Sequence, residues 1–139
     1  NSLGRIQKWA EEKQVGFKIE MPQKLNCPHD ANWLGEAIDN VLDNAVKYTR
    51  SGGIIELKIQ KNEMCTKIVV KDNGLGIAKG EEHKIFQRFY RGKKVTTQKG
   101  YGIGLYLARK IVSLHGGFII AKSRYPENGL MIEINLPVC

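Results

Sequence analysis

At 139 residues the chain has room for one ordinary domain with a single core, and not for a sensor, a membrane anchor and a catalytic module together. No apolar run approaches the roughly 20 residues that span a bilayer, and the first residues lack the shape of a signal peptide, so the piece is expected to fold in water. The net charge of +8 is unevenly placed, with ten Lys or Arg and no Asp or Glu between residues 84 and 126, so something anionic belongs near that segment. A solvated basic face, a ligand phosphate and nucleic acid all satisfy the charge alone. Three cysteines, Cys27, Cys65 and Cys139, are an odd number without metal-ligand spacing, which argues against a disulfide framework or a zinc site and for a reducing, cytoplasmic setting.

The chain opens on Asn1 and Ser2, without methionine, and runs directly into a helical pattern with Leu3, Ile6, Trp9 and Ala10 on one side, as expected of a fragment of a longer protein. Residues 15–20 alternate like a half-buried strand, and 24–27 read as another short one. After the break at Pro28-His29-Asp30, with Asp30 or Asn32 as N-cap, a helix is predicted over 31–49, its buried side Leu34, Ala37, Ile38, Val41, Leu42 and Ala45. Strands follow at 54–60 and 66–71, paired antiparallel, and then a glycine-rich turn at 72–77.

Residues 81–89 read as a short helix, and 91–99 carry Gly, Lys, Thr and Gln without periodicity, as a loop does. A helix over 103–114 is stopped by His115-Gly116-Gly117. The last strands, 118–123 and 130–136, form a hairpin whose Asn128-Gly129 step is a turn signal. Strands and helices mix without strict alternation. The expected class is therefore an α/β (α+β) two-layer sandwich, helices on one face of a largely antiparallel mixed sheet.

Three places carry chemistry. On the helix over 31–49, Asn40, Asn44 and Lys47 fall within about 60° of one another at roughly 100° per residue, a polar stripe that addresses one site. Amide oxygens suit a hard cation completed by phosphates, and lysine supplies a point charge; a solvated helix face is the plain alternative. The turn Asp72-Asn73-Gly74-Leu75-Gly76-Ile77 leaves a strand, and its glycines allow a flat ligand to approach. Asp72 could accept a hydrogen bond from the exocyclic amine of adenine, although such a sequence is also ordinary turn chemistry. Residues 100–105 place backbone amides at a helix start, which favours phosphate oxygens. Neither GxGxxG after a strand nor GxxxxGK[ST] is present.

The order and spacing of these pieces resemble the catalytic, ATP-binding domain of two-component sensor histidine kinases, within the GHKL superfamily with its Bergerat fold. The resemblance spans roughly residues 33–137: NVLDNAVKYT (40–49) is similar to the family's N box, DNGLGI (72–77) to its first G box, IFQRFYRG (85–92) to its F box, and GYGIGLYLARKIVSLHGG (100–117) to its second G box. It implies that ATP and Mg are bound, with Asn44 and Asn40 as metal ligands and Lys47 and Arg91 on phosphates. It implies further that Tyr48 and Tyr90 line the nucleotide, and that Asp72 reads adenine in a pocket shaped by Gly74, Gly76 and Ile77. Gly100, Gly102, Ile103, Gly104 and Leu105 would approach the phosphates, and 92–101 would be the ATP lid. Phe86 and Phe89 are expected in the core. Tyr101 departs from the small residue usual between the glycines of the second G box.

Hydrolytic GHKL relatives place a glutamate where this chain has Asn40, and an amide cannot serve as a general base for water. Glu36 is about 12 Å along the axis from Asn44 and rotated aside. A neutral imidazole needs less help as a nucleophile, so the resemblance implies a histidine kinase. His29, His83 and His115 lack the context of a phosphoacceptor motif, and the acceptor is expected on a separate dimerisation and histidine-phosphotransfer domain. Residues 1–14 are then the end of a linker or dimerisation helix and 15–139 the catalytic domain. The expected parent is membrane-associated, with this domain in the cytoplasm and a response regulator downstream, and no nucleic acid is expected as partner. A GHKL-type ATPase fragment and a basic nucleic-acid-binding module are the alternatives.

Overall fold

The computed structural model describes residues 2–20, 32–61, 63–77, 80–87 and 104–137, with the backbone alone at 2, 3 and 32. The strand expected at 24–27, the N-cap candidate Asp30 and the lid at 92–101 lie outside the described residues, whereas the backbone of Asn32, the other N-cap candidate, already belongs to the helix that follows. Helices α1 (Ser2–Lys13), α2 (Asn32–Tyr48) and α3 (Gly104–Leu114) pack on one face of a sheet built from β1 (Gly16–Glu20), β2 (Ile54–Lys61), β3 (Cys65–Asp72), β4 (Phe118–Ser123) and β5 (Leu130–Pro137). The strand order is β1-β2-β3-β5-β4, parallel between β1 and β2 and antiparallel elsewhere. A parallel neighbour needs a crossover, and α2 is that crossover.

Alternation along each strand decides which face is dry. Ile59, Ile68, Ile134 and Ile119 stand in one row across four strands, and Leu57, Val70, Ile132 and Ala121 in the next, all of them buried. Burying such a side chain stabilises by about 1.5–3 kcal/mol, so these rows and the helices above them hold the domain. Leu34, Ala37, Val41, Leu42, Ala45 and Val46 give α2 its buried stripe, Leu105, Ala108 and Val112 that of α3, and Ile6 and Ala10 that of α1. The opposite sheet face mixes Lys58, Lys67, Glu133 and Asn135 with the half-buried Val69, Ile120 and Met131. There Lys58 lies 3.8 Å from Glu20 and Lys67 3.5 Å from Glu133, while Asn135 Nδ2 donates to Glu133 Oε2 at 3.0 Å. The exposed Lys58–Glu20 pair contributes little, whereas the Glu133 side chain beside Lys67 is only 13% exposed.

Two local expectations change. The short helix read at 81–89 is, over its described part, only a 3-10 turn at Lys84–Phe86, ended by Gln87 in an extended conformation. Ile85 and Phe86 are both buried, but two adjacent apolar residues give no face long enough to propagate a helix. In the final hairpin the strands are joined through 124–129, closed by Arg124 N–H donating to Gly129 O at 3.2 Å. The hydrogen-bonded turn inside that loop is at Tyr125-Pro126, where Glu127 N–H donates to Arg124 O at 2.8 Å, and not at the Asn128-Gly129 step. The α3 stop is as read: Gly116 N–H donates to Ser113 O at 3.1 Å and Gly117 N–H to Val112 O at 3.0 Å, the paired bonds of a Schellman cap.

Thr66, opposite Leu136 in the row beyond Ile68 and Ile134, is fully buried and its hydroxyl has no hydrogen-bond partner among the described residues. Thr66→Val, which keeps the shape and removes the orphaned hydroxyl, is expected to stabilise the domain by about 1 kcal/mol. The urea midpoint then rises with an unchanged slope.

Candidate nucleotide-binding site

The site is assembled where α2 ends. A helix leaves its last carbonyls without partners, and in α2 each of the last four finds one outside the helical ladder. Thr49 Oγ1 donates to Ala45 O at 2.6 Å, Lys13 Nζ donates to Val46 O at 2.7 Å and to Lys47 O at 2.8 Å, and Leu75 N–H donates to Tyr48 O at 3.2 Å. The last of these bonds joins the helix carrying Asn40, Asn44, Lys47 and Tyr48 to the turn carrying Asp72, Gly74, Gly76 and Ile77. Gly74 is required at that junction, because a Cβ there would collide with the Tyr48 carbonyl. Asn40, Asn44, Lys47 and Tyr48 are all half-buried, and Lys47 Nζ lies 5.8 Å from the centre of the Tyr48 ring.

Asp72 ends β3 in the inward register of Ile68 and Val70, which is why its carboxylate is only 5% exposed. Its Oδ1 accepts from Gly74 N–H at 2.9 Å and from Leu130 N–H, at the start of β5, at 3.3 Å. Burial raises the Asp72 carboxyl above the ordinary carboxylate range, opposed by those two amides and by the charge of Arg124. Arg124 also donates to the Asp72 carbonyl at 2.7 Å, and Gly129 runs so close to that carbonyl that no side chain fits. Leu130, Arg124 and Gly129 thus buttress Asp72 from about 55 residues away in sequence. Asn73 Oδ1 accepts from Ile54 N–H at 2.8 Å and fixes the turn against the start of β2.

The first turn of α3 closes the group from above. A Cβ placed on Gly104 would stand 3.8 Å from the backbone oxygen of Asn40 and 3.9 Å from its Oδ1, so the amides opening α3 begin beside the polar stripe of α2. The Leu105 side chain is buried in the core, which leaves its backbone N–H as what it can offer a ligand. Ile77 is half-buried against the core. Tyr90, Arg91, Gly100, Gly102 and Ile103 lie outside the described residues, as does Phe89, whereas Phe86 is in the core. Sequence reading missed Lys13, Thr49, Arg124 and Leu130 as supports. The one available signal was Gly129, which the Asn-Gly step explained as a turn instead.

A family of Histidine kinase-, DNA gyrase B-, and HSP90-like ATPases matches residues 29–139. The sensor histidine kinase WalK of Bacillus subtilis is 38% identical over 133 residues, covering 92% of this chain and 22% of its own length. The adaptive-response sensory kinase SasA of a Synechococcus strain is 38% identical over 138 residues, covering 98% of this chain and 35% of its own length. Among solved structures, the mycobacterial sensor histidine kinase MprB superposes with a TM-score of 0.86 at 30% identity, over 98% of this chain and 90% of that one. The catalytic domain of the histidine kinase ThkA does so with a TM-score of 0.83 at 25% identity, over 98% and 88%. The chain belongs to this ATPase family, and within it is a catalytic, ATP-binding domain of the sensor histidine kinase kind. It spans about a third or less of the length of these curated relatives.

Because the folded state holds the Asp72 proton more tightly than the unfolded chain, the stability linked to this group is full below the ordinary carboxylate value. It is lost as pH rises from there through the raised folded value, and stays lost above it. Asp72→Asn keeps an oxygen for the Gly74 and Leu130 amides and removes the titration. Urea denaturation across this window should show the variant gaining stability relative to wild type as pH rises, then levelling off.

Proposed function

We propose that this domain binds Mg-ATP and donates the γ-phosphoryl group to a histidine on a separate dimerisation domain of a longer parent. The observation that carries the reading is the junction at Tyr48 O: one hydrogen bond ties the amide-and-lysine stripe of α2 to the turn that holds a buried carboxylate. In this reading Asp72 accepts from the exocyclic amine of adenine. Oδ1 is engaged by Gly74 and Leu130, so Oδ2 is the oxygen turned to the ligand. Lys47 supplies a positive charge to the phosphates, and the α3 amides from Gly104 onward offer donors from the other side. Among the described residues no group of three or more His, Cys, Asp or Glu could hold a metal by itself. Asn44 and Asn40 fit a magnesium that arrives with the triphosphate, since that ion keeps oxygen ligands from phosphate and water. Magnesium bound there would neutralise part of the phosphate charge.

The chain's own histidines argue for an acceptor elsewhere. His115 stacks on Trp33 with ring centres 3.7 Å apart, at the end of α3 opposite Gly104 and therefore about 16 Å along that axis from the site. His83 is exposed ahead of the 3-10 turn, and His29 is outside the described residues. Asn40 cannot activate water, and Glu36 is exposed a turn farther along α2. Transfer to an external imidazole fits these residues better than hydrolysis. Residues 1–14 are then the end of the linker or dimerisation helix. A membrane-associated parent, with this domain in the cytoplasm and a response regulator downstream, completes the proposal.

The domain is equilibrated with Mg-ATP, freed of unbound nucleotide, and what it retains is identified by chromatography. Intact ATP, discharged to phosphohistidine when the parent's dimerisation domain is added, is the expected result; retained ADP with released phosphate would move the reading to an ATPase. Asn44→Asp, which turns an amide ligand into a charge beside the phosphates, should weaken Mg-ATP binding by about tenfold or more with the thermal midpoint little changed. Equal affinity in calorimetric titration would remove Asn44 from the site.

A further inference from the structure

Helix α1 ends on the end of another helix. Lys13 closes α1, and its ammonium reaches across to the carbonyls of Val46 and Lys47 at 2.7 and 2.8 Å, filling two of the four vacancies at the C-terminus of α2. A lysine there also meets the negative end of the α2 dipole. Partial burial lowers the Lys13 pKa without another charge being the cause. The residues just past it hold the next piece of chain. Gln14, at φ 64°, accepts from Gly52 N–H at 2.8 Å through its backbone and from Ser51 Oγ at 2.9 Å through its side chain, and Gly16 N–H donates to Gly53 O at 2.8 Å. Residue 53 is followed by Ile54, whose N–H is held by Asn73 in the turn below Asp72. The end of α1 therefore grips both the last turn of α2 and the loop that abuts the Asp72 turn.

Lys13 and Gln14 hydrogen-bond the last turn of α2 and the loop at 51–52, which present Asn44, Lys47, Tyr48 and Asn73. We infer that Lys13 is a positioning residue of the nucleotide site, and that through it the docking of α1 and the binding of nucleotide are thermodynamically linked. The inference rests on the assignment of Asn44, Lys47 and Tyr48 to nucleotide. Without the ammonium, the Lys47 carbonyl loses its donor and the Val46 carbonyl keeps only the longer bond from Thr49 N–H at 3.4 Å, so the last turn of α2 is free to fray, which moves Lys47 and Tyr48 first. Linkage is reciprocal: whatever loosens α1 weakens nucleotide binding by the same factor that nucleotide tightens α1. If α1 continues toward the rest of the parent, a pull or twist on it reaches the site through two hydrogen bonds.

The test compares wild type, Lys13→Met and Lys13→Arg at a temperature where circular dichroism shows all three folded. Methionine keeps the aliphatic stem and removes the donors, and arginine restores donors. Binding of a non-hydrolysable Mg-ATP analogue is measured by calorimetry, and amide exchange of residues 4–13 is followed with and without the analogue. The expected result is affinity weaker by about fivefold or more in Lys13→Met, largely recovered in Lys13→Arg. In wild type the analogue should slow exchange in α1, and in Lys13→Met it should not. A purely structural lysine would lower the thermal midpoint of Lys13→Met yet leave its affinity within about twofold of wild type, and that outcome overturns the inference. Should Lys13→Met fail to fold, unchanged α1 exchange in wild type on adding the analogue overturns it equally. Asn44→Asp separates the two levels: loss of binding there but not in Lys13→Met leaves the site standing and sinks the linkage, whereas no loss in Asn44→Asp sinks the site assignment itself.

Discussion

The C-terminus of α2 must satisfy four carbonyls that its own helix cannot, and the rest of the domain is arranged around how it does so. A hydroxyl one residue past the helix, an ammonium from α1 and an amide from the turn after β3 meet there. Leaving such groups unpaired away from water costs about 1–3 kcal/mol each, so the three donors are tied to that point as firmly as the core rows tie the sheet. Function follows from the same economy of placement. The donors that cap the helix also fix the orientation of its last turn, which carries Lys47 and Tyr48, the residues proposed to face the nucleotide.

Asp72 shows the complementary constraint. A carboxylate in the inward row of a strand is unfavourable, and its pKa is raised accordingly, yet it is held by backbone amides from both neighbouring directions. Such a group is poorly solvated and pre-oriented, which suits it to accept a hydrogen bond from a ligand more than to stabilise the fold. Its buttress comes from the far hairpin, where Gly129 and Arg124 close on the Asp72 carbonyl. The hairpin thus supports the candidate site through Asp72, from a distant part of the chain.

Element by element, the sequence was most legible where periodicity is long. Helices α2 and α3 and strands β2, β3, β4 and β5 match their predicted spans within a residue or two, because burial stripes at 3.6 and 2 residues leave few alternatives. Legibility failed where the apolar signal was two residues long, at Ile85-Phe86, and where one glycine served two demands, at Gly129. The polar stripe of Asn40, Asn44 and Lys47 was visible as a geometric fact about one helix. Its meaning depended on the turn at Asp72 lying beside it, and no spacing within either motif states that.

By itself the sequence determined the layers, the strand partners of the two hairpins and the membership in a known ATPase family, and it supplied the residues proposed to meet a nucleotide. These are local or pairwise properties, written in periodicity, turn chemistry and the order of motifs. Only the tertiary structure decided that Lys13 caps α2, that Leu130 and Arg124 support Asp72, and that Gly104 begins beside Asn40. Those contacts join residues separated by 33 to more than 60 positions, and each is a single polar or close-packed meeting with no repeat to announce it. A hydrogen bond of that kind is selected by where two backbones already run, so it becomes readable only once the packing of the apolar rows has placed them.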